Sequence, residues 1–227
     1  MIKYKNLIQE LPIYEHAFTT NRKTWLDFED KFEWYSDINN QIFKSQEICI
    51  TRGELIELGK SDRVKEFIVK IIYWGYPRGY TDGRNIHLVN FLEDYPKLET
   101  IIIELKKENE ITNFIQFYNE NIKCIRGMAL STFTKILYFL GTKIHGKEAL
   151  ILDNQIIARL TTSYFKNEKF VKLKYHNAPQ NYVLYLEFMD ELSKKIETSP
   201  QNIEMFLFIF GGIISPVNSQ QFLISGE

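Results

Sequence analysis

The sequence predicts an all-α protein, and three observations carry that reading. Apolar residues recur at helical spacing along most of the chain, helix-start signals stand before several of these stretches, and no convincing run of alternating strand residues interrupts them. Trp25, Phe28, Phe32 and Tyr35 fall on one stripe of an amphipathic helix. Thr51 reads as an N-cap with Glu54 three residues on, the capping-box spacing. Asp62 is expected to cap the next helix, which runs through Val64, Phe67, Ile68 and Ile71 and is broken at Gly75 and Pro77. Further helices are predicted over 86–95, 97–107, 110–121, 131–141, 154–165, 180–197 and 201–210, with Pro200 in the first turn of the last, where a missing N–H costs nothing. Residues 170–175 come nearest to a strand.

Bulk properties narrow the class. At 227 residues, 44% apolar and 25% charged, the chain is an ordinary globular protein of one domain or two intimate lobes. No apolar run reaches the ~18 residues of a membrane span, and the best candidate, 205–214, contains Gly211 and Gly212. The N-terminus lacks the apolar core of a signal peptide. Two cysteines, Cys49 and Cys124, are too few for a disulfide framework or a zinc site, which fits a reducing cytosol and a cytoplasmic location. The formal net charge is -1, yet residues 121–176 hold ten Lys and Arg against three acids. A basic segment in an otherwise acidic chain is the footprint of a polyanion, or else a solvated lysine-rich face.

Chemistry is concentrated in that segment. A helix ends near Cys124, a turn follows, and a second helix starts near Ser131 or Thr132. Leu130, Phe133, Ile136, Leu137 and Leu140 form its core stripe and Lys135 lies opposite, with Tyr138 and Phe139 one turn on. Partial dehydration among rings favours the neutral amine that nucleophilic attack requires. Next, the apolar run 149–152 ends in Asp153 as a new helix begins, so Asp153 is an N-cap candidate beside the positive end of a helix dipole. Taken singly, a snorkelling lysine and a plain structural cap explain both residues.

Together they resemble a known family. A helix, a turn, a second helix with a lysine near its start, and an aspartate opening the following helix 18 residues later resemble the helix-hairpin-helix DNA glycosylase superfamily. Within it, Thr134-Lys135-Ile136-Leu137 and Leu150-Ile151-Leu152-Asp153-Asn154-Gln155-Ile156 look most like the 8-oxoguanine DNA glycosylase branch. The resemblance covers residues 122–159, about a quarter of the chain. It implies a two-lobed fold, with 1–105 plus 180–227 as one lobe and 106–179 as the catalytic lobe. It also implies Lys135 as nucleophile, Asp153 as the carboxylate that assists it, and a lysine Schiff base with strand-nicking lyase activity on an oxidised or otherwise modified base. Two departures stand out. The hairpin glycines of the family are Ser131 and Phe133 here, which moves any phosphate contact to the hydroxyls of Ser131, Thr132 and Thr134. No cysteine follows Cys124, so the iron–sulfur cluster of some relatives is excluded, and neither cofactor nor metal is expected.

A flipped base needs rings and polar edges. The segment 74–84 supplies Trp74, Tyr76, Arg78, Tyr80 and Arg84, and the last helix supplies Phe206, Phe208 and Phe210. By resemblance Phe208 is the pocket ring. DNA contact is expected from Arg126, Lys143 and Lys147, with His145 beside them. Two other readings stay open: a non-catalytic helix-hairpin-helix DNA-binding protein, and a helical module for an acidic protein partner. A role in prokaryotic defence against phage DNA carrying modified bases is an alternative to repair.

Overall fold

The computed structural model describes residues 1–79 and 85–214. It is mostly helical, with twelve α-helices among the described residues. None of them is long and apolar enough to cross a membrane.

The centre of the fold is α9 (Leu130–Leu140), buried at every position from Leu130 to Phe139. A helix buried on all sides, polar residues included, lies inside the core, and α4 (Arg52–Lys60) and α5 (Val64–Gly75) pack directly against it. The α4–α9 crossing is tight at Gly59, where any Cβ would stand 2.3 Å from the Phe139 carbonyl oxygen. Thr51 caps α4 as predicted, its hydroxyl accepting from the Glu54 N–H at 3.0 Å.

The predicted helix through Trp25 and Tyr35 is two helices. α2 (Leu26–Glu29) ends at a turn, and Phe32, extended in backbone, precedes α3 (Glu33–Ile42). Burial still follows the predicted stripe, because Trp25, Phe28 and Tyr35 are all buried. The break lets Trp25 lie flat on Tyr73 of α5, ring centroids 4.3 Å apart. Asp62 is not a side-chain cap. Arg63 holds the N-cap position of α5 with no capping side chain, and Asp62 contributes only its carbonyl, which accepts from Val64 N–H.

Two short sheets, absent from the sequence expectation, are present among the described residues. β1 (Ala17–Asn21) and β2 (Glu47–Thr51) form an antiparallel ribbon in register Ala17 with Thr51, laid against α5. α6 (Asn85–Glu93) and α7 (Tyr95–Glu108) follow as expected, but 110–121 is β3 (Glu110–Ile111), α8 (Phe114–Phe117) and a π-helical turn. β3 pairs with β4 (Lys143–Ile144), which pairs with β5 (Lys147–Glu148). His145 and Gly146 turn that hairpin with φ of 50° and 72°, the left-handed pair that matches the twist of two-residue hairpins. Residues 170–175, the stretch nearest to a strand in the sequence, run from the end of one 3₁₀ turn to the start of the next. α10 (Asn154–Thr161), α11 (Ala178–Ile196) and α12 (Pro200–Phe210) complete the chain, with α12 packed on α1 (Lys5–Gln9), α10 and α11.

Candidate active site

The turn before α9 is built by Gly127 and Arg126. Gly127 adopts φ of 76° and touches α6 so closely that a Cβ would stand 2.0 Å from the His87 carbonyl oxygen. Arg126 donates to Asp94 from its backbone N–H (2.8 Å) and its guanidinium (3.0 and 3.2 Å), and also pairs with Glu93. Asp94 is held well below the ordinary carboxylate range by those Arg126 bonds. At the start of α9, Ser131 N–H donates to the Tyr175 hydroxyl, and the Tyr76 hydroxyl lies 3.0 Å from the Thr132 hydroxyl.

Lys135 sits one turn into α9, 5% exposed. Its side chain runs toward the helix N-terminus, the ordinary direction for a long helical side chain. Its ammonium donates to the Ser131 carbonyl at 3.3 Å and lies 5.9 Å from the centre of the Tyr76 ring. The stem passes over Gly75, where a Cβ would meet Cδ and Cε at 3.3 Å. The ring facing the amine is thus Tyr76 on the neighbouring segment. Tyr138 and Phe139, the rings picked out by sequence spacing, are turned to other partners: Tyr138 to Arg52 and Gln201, and Phe139 to Trp74.

Asp153 is reached through the buried, non-helical run 149–152. A buried backbone without a ladder needs side-chain partners, and three hydroxyls provide them. Tyr182 donates to Leu150 O and accepts from Leu150 N–H, Tyr185 donates to Ile151 O, and Thr134 accepts from Leu152 N–H at 3.1 Å. Asp153 then caps α10, accepting from Ile156 N–H at 2.9 Å, as the sequence predicted.

Lys135 and Asp153 open onto the same two adjoining cavities, which also share Gly75 and Gln155. The inner cavity, about 220 Å³, is lined by Phe18, Trp74 and Phe208 and by the charged pair Arg52 and Glu204. The outer one, about 620 Å³, is lined by Tyr76, His87, Ser131 and Tyr175. Among the described residues no ion pair joins Lys135 to Asp153. A larger cleft of about 710 Å³, lined by Lys3, Tyr164, Phe188 and Lys195 among others, shares no residue with them.

The Arg52–Glu204 pair is wholly buried. The guanidinium grips both carboxylate oxygens, at 2.8 and 3.2 Å, and its Nε–H donates to His16 Nδ1 at 3.2 Å. Burial raises the Glu204 carboxyl above its ordinary range, and the Arg52 charge limits the rise. For Arg52 burial pulls down, yet the Glu204 carboxylate outweighs it and the guanidinium ends above its ordinary value. Nothing in local spacing marked Arg52 as a site residue. Glu204 carried one signal, since it is the sole acid in the apolar stretch 203–210 and stands one turn before Phe208.

Of the remaining sequence-predicted residues, Trp74 and Phe208 line the inner cavity, and Tyr76 and Ser131 the outer. Thr132 and Thr134 are buried, and both bonds of the Thr134 hydroxyl, to Ser131 O and Leu152 N–H, are internal. Arg78 is exposed and lines neither cavity; Tyr80 and Arg84 lie outside the described residues. Phe206 packs on Tyr4, Phe165 and Phe210, away from the cavities. Lys143, His145 and Lys147 lie on the hairpin beyond the C-terminal end of α9, so roughly one helix length of ~15 Å separates them from Ser131. No group of three His, Cys, Asp or Glu able to hold a metal ion occurs among the described residues.

The model of one protein family, described as "Putative 8-oxoguanine DNA glycosylase OGG-like protein", matches residues 11–208. Comparison with curated proteins and with solved structures gave no match.

Proposed function

The chain belongs to the 8-oxoguanine DNA glycosylase OGG-like family, and from that premise we propose that it is a bifunctional DNA glycosylase in which Lys135 is the nucleophile and Asp153 the assisting carboxylate. The observation that carries this reading is the shared opening: one amine and one carboxylate, unpaired with each other, border a small ring-lined cavity and a wider cleft.

The target nucleotide leaves the stack, its base enters the inner cavity and its sugar lies in the gap between Lys135 and Asp153. The Lys135 amine forms a bond to C1′ as the glycosidic bond breaks and its electron pair leaves with the base. Asp153 stabilises positive charge that develops on the sugar and accepts a proton from the attacking amine. The C1′–O4′ bond then breaks, its electron pair and a proton going to O4′, and the lysine stays attached as a Schiff base; loss of a C2′ proton then expels the 3′ phosphate by β-elimination and cuts the strand. Phe18, Arg52, Trp74, Glu204 and Phe208 on the inner-cavity wall come from 1–105 and 180–227, whereas Lys135, Ile151, Asp153 and Gln155 come from 106–179. We take these as the two lobes of the enzyme, with the substrate between them. An oxidised purine is the substrate that the family name supports.

The test is borohydride trapping on duplex oligonucleotides bearing 8-oxoguanine or an abasic site. A covalent protein–DNA product is expected with the wild type and none with Lys135→Gln. A product that survives the substitution, or none with any substrate, removes Lys135 as nucleophile. DNA affinity should also fall with rising salt, as phosphate contacts release counterions.

A further inference from the structure

The inner cavity holds polar groups that the proposed chemistry at Lys135 does not use. Arg52 has five N–H donors. Four are engaged: Nε with His16, Nη1 with Glu204 and with Tyr138, and Nη2 with Glu204. One Nη2 donor is therefore left over among the described residues. Trp74, a ring of the cavity wall, has a buried indole N–H with no hydrogen-bond partner. Glu204 uses one lone pair on each oxygen for Arg52 and retains acceptor capacity. Buried donors without a partner are rare in folded proteins and call for an explanation.

We propose that this cavity reads a nucleobase through an imide edge, a ring N–H flanked by two carbonyl oxygens, with Glu204 accepting the N–H and with Arg52 and Trp74 donating to the oxygens. The inference rests on the glycosylase reading and specifies which class of base it acts on. A true imide edge is the O4, N3–H and O2 of a 5-substituted uracil; an oxidised purine presents the same acceptor–donor–acceptor order as O6, N7–H and O8, although its N7 is bonded to only one carbonyl carbon. Adenine- and cytosine-type edges place a bare ring nitrogen beside an amino group. In this cavity their nitrogen lone pair would oppose the Glu204 carboxylate, and their amino hydrogens would oppose an N–H donor. A site built to bond an N–H rejects analogues lacking it far more strongly than an apolar pocket rejects a change of size. Phe18, Trp74 and Phe208 supply flat apolar surface for the ring itself.

The experiment measures single-turnover excision from duplexes carrying 8-oxoguanine, 5-hydroxymethyluracil, 5-hydroxymethylcytosine or N6-methyladenine, beside borohydride trapping on an abasic duplex that has no base to read. Excision confined to one or both imide-edged bases is the expected result. Trp74→Phe keeps the ring and removes the N–H. It should slow that excision about tenfold, the worth of one buried hydrogen bond. Glu204→Gln should relax the discrimination by offering a donor as well as an acceptor. Preferential excision of the cytosine or adenine derivative, or an unchanged rate in Trp74→Phe, overturns the imide assignment while leaving Lys135 as nucleophile. Loss of abasic trapping in the wild type overturns the glycosylase reading itself, and this inference with it.

Discussion

Asp153 performs two tasks that substitution can separate. Its carboxylate caps α10 through Ile156 N–H, and its charge faces the cavities beside Lys135. Asparagine is as good an N-cap as aspartate, so Asp153→Asn should change stability by less than about 1 kcal/mol. The charge is lost, and preorganised charge at a developing cation is worth about 10²-fold or more in rate. Urea melts and single-turnover excision run on the same preparation would show whether stability and rate part company. A comparable fall in both would make Asp153 a structural cap. Gly75 admits a second separation. Gly75 is the last residue of α5 and its φ is not positive, so alanine fits the backbone there, yet its Cβ would press on the Lys135 stem at 3.3 Å. Gly75→Ala should hold or raise the melting temperature and slow borohydride trapping about tenfold, since small misplacements of a reacting group are costly. An unchanged trapping rate would show that the stem moves freely.

At the scale of elements, the Lys135–Asp153 relation depends on one hydroxyl. Thr134 precedes the lysine, Leu152 precedes the aspartate, and the Thr134 hydroxyl accepts from Leu152 N–H in the buried core. Thr134→Val keeps the shape and leaves that N–H unpaired, a cost of about 1–3 kcal/mol. It should also slow excision beyond what lost stability explains at a temperature where the protein is fully folded. Thr134→Ser retains the hydroxyl and should recover the rate; failure of serine to recover it would exclude a positioning role. This relation was half legible in the sequence. Lys135, Asp153 and the cap at Thr51 depend on neighbours a few residues away, and local spacing found them. The break at Phe32 did not show, because the apolar stripe was satisfied whether or not the helix was continuous. The β1–β2 ribbon did not show either, since each strand is only five residues long and each partner of the pairing is remote. Arg52 and Glu204 stand 152 residues apart, and no local pattern joins them.

At the scale of the whole molecule, the site exists because distant parts of the chain close on it. The β1–β2 ribbon, the start of α4, the end of α5 and the last turns of α12 meet around the inner cavity, opposite α9 and the start of α10. His16 sits at that closure. Its ring packs edge-on against Phe18, Trp74 and Phe208, and its Nδ1 accepts from the Arg52 guanidinium. Burial first, and then the Arg52 charge, lower its pKa from 6.5 to about 4. A protonated His16 would lose its acceptor nitrogen and place a second positive charge against Arg52. Between pH 6.5 and about 4 the unfolded chain therefore binds a proton that the folded protein refuses, so stability rises with pH across that window. It is complete above 6.5 and is lost as pH falls toward 4. Asp94 contributes in the same direction but lower, because its depressed carboxyl gives up its stabilisation only below the ordinary carboxylate range. Glu204, raised by burial, acts in the opposite sense, so it is the His16 contribution to the urea midpoint that should drop between pH 7 and pH 5. In His16→Gln, which retains an acceptor for Arg52 and cannot titrate, the drop should be smaller. An equal drop in both proteins would place the pH sensitivity elsewhere and leave His16 as a packing residue of the cavity wall.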